Sequence, residues 1–229
     1  MSRGARPIQP PRRETGRGAE RGFSFVELTI VLLVIGLMLG ATAIGGDLAR
    51  TASYNVFFSR FVVAWSEAYK SYKTATGGVP GHTAPGQIVN GNSGGTTARC
   101  TSDLRADMVG AAIALPPGRG LDKETLALFQ GPDGRQHQAD ICFLHVTDWT
   151  ANPGGAVLAV NVMRISGLSA DLAARLDVAI DTYADAANGD FRRGDTTAYK
   201  AASATAWPQA FSDEELQTIN TVTAFYRMP

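Results

Sequence analysis

The sequence predicts an α+β fold, in which one long N-terminal helix packs on a small antiparallel sheet with short helices at its periphery. Three observations carry this. An uncharged run of 19 residues extends from Leu28 to Gly46. An apolar stripe at helical spacing continues beyond it. Further on, two runs rich in β-branched residues are separated by a Gly/Pro turn.

The first element is a leader. Residues 1–22 hold six arginines (Arg3, Arg6, Arg12, Arg13, Arg17, Arg21) and two acids (Glu14, Glu20), a net +4. The whole chain is neutral, so the remaining 15 basic and 19 acidic residues leave the body at −4. That mild acidity argues against general nucleic-acid binding. The uncharged run comes next. At about 1.5 Å per residue, a helix of that length nearly matches the ~30 Å hydrocarbon layer. The arginines before it place the N-terminus in the cytoplasm and the remainder across the membrane. Thiols oxidise in that compartment. The two cysteines, Cys100 and Cys142, are therefore expected to form a disulfide, the alternative being two buried free thiols.

Three kinds of membrane segment fit such a run. A secretory signal would be cut after it, in the small-residue stretch "GATAIGGDLA"; a plain signal anchor would not be cut; a third kind is cut before it. The sequence favours the third. Arg21-Gly22 precedes Phe23, and Glu27 follows at the fifth position of the shortened chain, just ahead of the apolar run. This pattern resembles the processing signal of type IV pilins and pseudopilins, closely over residues 21–45 and in outline beyond. The resemblance implies cleavage between Gly22 and Phe23 by a prepilin peptidase, which then methylates the new amine on Phe23. It also implies that Glu27 pairs with the N-terminal amine of a neighbouring subunit during assembly. A lone interfacial carboxylate beside its own helix N-terminus is the plainer alternative. The implied partners are other pilin subunits, the peptidase/methyltransferase, an inner-membrane assembly platform and membrane lipid. The expected organisation is a leader at 1–22, a transmembrane or filament-core helix at 23–46, its amphipathic continuation at 47–76, and a periplasmic or extracellular domain at 77–229.

Beyond the span, Phe58, Phe61, Trp65, Ala68 and Tyr72 recur every three or four residues. They predict a helix running on to about Thr76, its stripe facing a sheet. Gly36 and Gly40 form a GxxxG pair that suits close helix approach. Gly40, Gly45 and Gly46 mark where the helix would loosen, although the proline many type IV pilins carry there is missing. Residues 74–100 read as a long loop in which His82 is solvated. Short helices are expected over Ser102–Ala114 and Leu121–Phe129, the latter capped by Asp122. "ICFLHVT" (141–147) and "AVLAVNVMRI" (156–165) read as a hairpin, which makes Cys142 and His145 structural. Ser169 opens a helix carrying Leu172, Leu176, Ile180 and Tyr183 on one face, ending at Asn188-Gly189. Residues 189–200 supply a third strand and room for a fourth. Ser212 and Glu215 fit a capping box for a C-terminal helix bearing Leu216, Ile219 and Tyr226.

Nothing catalytic is expected. His82, His137 and His145 lack metal-ligand spacing, and no nucleophile arrangement or phosphate-cradling glycine motif occurs. Asp177, Asp181, Asp185 and Asp190 read as a solvated helix face; some pseudopilins bind calcium in this region, but the calcium-loop spacing is missing. Arg193-Gly194-Asp195 reads as a turn. The expected function is a structural subunit of a type IV pilus or of a secretion pseudopilus, with no cofactor or metal. The alternative is a minor pilin that primes assembly or serves as an adhesion or DNA-binding module; DNA binding is not indicated by charge balance, although Arg192-Arg193 forms a local basic patch.

Overall fold

The computed structural model describes residues 24–82, 98–150, 155–195, 205–213, 215 and 218–229, with side chains for all of these but 41–44. The leader, Gly22 and Phe23 lie outside the described residues. The chain divides into two compact units, Met1–Ile44 and Gly45–Pro229. In the first, the described chain is helix α1 (Phe25–Phe57), which runs on into the second.

Within the second unit α1 passes into a π-helical segment, Phe58–Val63, and then into α2, Ala64–Thr76. The sequence explains the π turn. The buried residues Phe57, Phe61, Trp65 and Tyr69 are spaced by four throughout. In α geometry each step of four overshoots a full turn by about 40°. The wider π turn takes up that drift and keeps the aromatics in one line. The helix ends as expected at Thr76. Gly77 adopts φ +71 and its N–H caps the Lys73 carbonyl at 3.0 Å, a left-handed stop that glycine makes at least cost.

The aromatic line packs on an antiparallel sheet in the order β1-β3-β4-β8-β5, with β2 also pairing with β3. The strands are β1 (Arg99–Cys100), β2 (Leu126–Gln130), β3 (Gln136–Thr150), β4 (Val157–Ser169), β5 (Phe191–Arg193) and β8 (Thr221–Arg227). Two short strands, β6 (Phe211–Asp213) and β7 (Thr218–Ile219), pair separately. The long β3–β4 hairpin is the expected one, extended in both strands. Alternation gives the sheet two faces. Ile141, Phe143, Met163, Ile165 and Ala224 form the helix side: the Phe143 ring lies 4.8 Å from Tyr69 and 6.4 Å from Trp65. Val146, Val162, Phe225 and Trp149 form a smaller cluster. Across it Arg192 lies over the Trp149 ring at 4.2 Å.

Two peripheral helices close the unit. α3 runs Thr101–Gly110, starting before Ser102 and stopping short of Ala114. Ala112 turns left-handed at φ +56, and the Ile113 N–H caps the Met108 carbonyl. α4 runs Ala170–Asp181 and ends at Thr182 in the left-handed region, not at Asn188-Gly189. Ser169 does precede it, but forms no side-chain cap. Tyr54 joins α4 to α1 by donating to Asp171 Oδ2 at 2.6 Å.

Two expected helices are strands. Over 121–129, Asp122 takes φ +61 and Lys123 N–H bonds to Gly120 O, which makes a turn. Leu126–Gln130 then pairs with Gln136–Asp140 across the "GPDG" turn, so the hairpin recruits the segment as β2. At the C-terminal end, Thr221–Arg227 lies between β4 and β5 and pairs with both. Pairing on both sides, with β-branched and aromatic residues at 221–226, outweighs the local helical pattern. Ser212 Oγ bonds to Thr218 O rather than capping a helix. Leu216 lies outside the described residues.

Candidate assembly site

From Phe25 to Leu39 the large apolar side chains of α1 are exposed, Leu33 at 63% and Leu37 at 66%. The most apolar 18-residue window of the helix has a mean hydropathy of 2.4, and none of it is buried. This is one helix long and apolar enough to cross a membrane. Glu27 is in its first turn, where unpaired backbone N–H groups favour a carboxylate. The helix begins as Leu28 N–H bonds to Ser24 O at 3.1 Å. Among the described residues Glu27 forms no ion pair. A Cβ added at Gly36 or Gly40 meets nothing within 4 Å. Packing among the described residues therefore makes no use of the small size of either glycine.

The other candidate residues are in the second unit. Cys100 and Cys142 are bonded, and they are direct register partners on β1 and β3 with a Cα separation of 4.4 Å. A bond across 42 residues of chain stabilises such a domain by about 2–4 kcal/mol, chiefly through its unfolded state.

The aspartates are not a solvated face. Asp177 is fully buried on the inner side of α4. Its Oδ2 accepts from Asp185 N–H and Trp207 Nε1–H, both at 2.7 Å. Burial pushes its carboxyl up to about 7, and neighbouring Asp181 adds to the rise against those two hydrogen bonds. Asp181 in turn accepts from Asp190 N–H and Phe191 N–H. Asp185 accepts from Ala187 N–H, Thr205 N–H and Asn188 Nδ2. Although burial works against its ionised form, these donors hold Asp185 below the usual range. The carboxylates thus brace the chain after α4. Helical periodicity made them look solvated because α4 ends within the cluster. Among the described residues no group of three or more His, Cys, Asp or Glu is placed to hold a metal.

The histidines are held by local partners. His82 packs edge-on to Tyr72, its Nδ1 2.9 Å from Val79 O, so it belongs to the end of α2 and not to a solvated loop. His137 meets Asp133 at 2.8 Å and His145 meets Asn161 at 3.2 Å. Arg192 is 3% exposed and donates to Gly189 O and Thr150 O, which takes it out of any surface basic patch. Arg193 is paired with Asp195 at 2.7 Å, closing the turn.

No protein-family model, no curated protein and no solved structure matches this chain.

Proposed function

We propose that this protein is a structural subunit of a pilin-like filament, held in the inner membrane by α1 before assembly. One observation carries the reading. A single run of helix, Phe25–Thr76, is apolar and unburied at its start, yet supplies the aromatic core of a disulfide-linked domain at its end. A segment with 0% of its apolar window buried needs lipid or other helices around it. Glu27, at the head of that segment, supports a bundle of like helices over a simple anchor. A carboxylate at the margin of apolar surroundings is least costly when a cation from a neighbour meets it. The amine that cleavage at Gly22/Phe23 would create is such a cation. The free space beside Gly36 and Gly40 supports close helix approach in the same bundle.

The reading is tested by replacing Glu27 with Leu and Gly22 with Val in the source cell. Glu27→Leu is expected to be processed normally and to be missing from sheared filaments. Gly22→Val is expected to accumulate at full length. Normal filament yield from the first, or an unchanged mature mass from the second, refutes the corresponding part. The mass of the sheared protein also distinguishes a major subunit, which dominates it, from a minor one.

A further inference from the structure

Three side chains form one transverse row on the sheet face turned away from the aromatic helix. Cys100 of β1 is the register partner of Cys142 of β3, which is the partner of Arg164 of β4. Residues directly opposite across antiparallel strands point to the same side. The Arg164 Nη2–H group accordingly reaches both sulfurs, at 3.1 Å from Cys142 Sγ and 3.6 Å from Cys100 Sγ. Arg164 has no other hydrogen-bond or ion-pair partner among the described residues, and its buried Nε has none. The guanidinium of Arg99, next to Cys100 in the chain, is bound to Asp107 at 2.7 Å. A neutral disulfide is a poor acceptor for a partly buried cation. The Asp140 carboxylate acts on Arg164 electrostatically but forms no ion pair with it among the described residues, and leaving a partly buried guanidinium without an anion in contact is costly. A thiolate at the same place would satisfy it.

The two sulfurs also differ in access. Cys142 is 1% exposed, whereas Cys100 is only partly buried. An incoming thiolate therefore reaches Cys100, and the sulfur that must leave is the one closest to the guanidinium. A leaving thiol of lowered pKa leaves faster, and an adjacent arginine lowers it.

We infer that Cys100–Cys142, with Arg164 stabilising the departing sulfur, is a thiol–disulfide exchange site for dithiol reductants. One thiolate of the dithiol attacks Cys100 Sγ. The Cys100–Cys142 bond breaks, and its electron pair goes to Cys142 Sγ, which pairs as thiolate with Arg164. The second thiol of the dithiol loses its proton and attacks the mixed disulfide. It closes the donor's own disulfide and frees Cys100, which takes up that proton. Two electrons pass from the dithiol to the protein, and β1 loses its covalent tie to β3.

The test uses the full chain in detergent micelles with dithiothreitol as the dithiol. Reduction is followed by acid quench, alkylation and mass measurement. Arg164→Met is expected to slow reduction by about tenfold or more, and Arg164→Lys to stay within about threefold of the parent. A second readout does not depend on exchange. In Cys100→Ser, the ultraviolet thiolate absorbance of Cys142 is titrated with pH. Its midpoint is expected at least about one unit below the ~8.5 of a free thiol, and to return upward when Arg164→Met is added. Reduction rates within about twofold in all three chains overturn the inference, as does a Cys142 midpoint at or above ~8.5. If Arg164→Met does not fold, the Cys100→Ser midpoint decides alone.

Discussion

Replacing Asp177 with Asn should remove a pH dependence built into the domain. Asp177 has no exposed surface, and its carboxyl is pushed from 3.8 to about 7. The folded state therefore binds this proton more tightly than the unfolded chain. The resulting stability is fully present below pH ~4 and is lost as pH rises through about 7. A shift of some three units corresponds to about 4 kcal/mol at ~1.4 kcal/mol per unit, an upper bound that relaxation lowers to about 2–4 kcal/mol. Asn keeps an oxygen for Trp207 Nε1–H and Asp185 N–H and places a donor toward Asp181. It cannot ionise. Unfolding of the full chain in mild detergent is followed by tryptophan fluorescence at pH 5 and pH 8. Asp177→Asn should exceed the parent by about 2–4 kcal/mol at pH 8 and by much less at pH 5. Asp140, also raised by burial, titrates in both chains, so the difference between them isolates Asp177. The same difference at both pH values would refute the reasoning.

Other outcomes follow from the same geometry. Six residues in π geometry turn through about the same angle as five in α geometry. Deleting the exposed Ser59 should therefore convert the π segment to α helix and change stability by no more than about 1 kcal/mol. Deleting the exposed Glu67 from α2 should swing Tyr69 and Tyr72 out of the core at a cost of several kcal/mol; denaturation curves showing equal losses would contradict this. Trp65→Ala, which removes a fully buried ring and its bond to Glu124 O, should cost about 3–5 kcal/mol by the same assay. Ala112→Gly relieves a left-handed backbone at an exposed site and should raise stability by about 0.5–1 kcal/mol, measured by thermal unfolding.

Much of this architecture is legible in the residues themselves. The uncharged run and the aromatic stripe together define the helix, because each acts within a few turns. The β3–β4 hairpin is legible because β-branched runs flank a turn. The cysteine pair is legible because only two exist. What escapes is set by distant partners. β2 and β8 look helical until the strands beside them are known. Asp177 looks solvated by period, yet it points inward to receive Trp207 from 30 residues away. Arg164 shows nothing in sequence; only strand register puts it on the disulfide. The Glu27 signal is the reverse case, legible in sequence and without an ion-pair partner among the described residues.

The place of β8 has a consequence for how the chain is made. Its two neighbours, β4 and β5, both precede it in the chain, and among the described residues β5 pairs with no other strand. The β3–β4 hairpin and the Cys100–Cys142 bond use only residues that precede β8, so both can form before it is made. One side of β4, and the whole of β5, wait until residue 227 has been made. In that interval β4 presents an open strand edge, a template for pairing with another chain. A chaperone that shields strand edges would act in that interval, and its benefit would fade once the final strand closes the sheet.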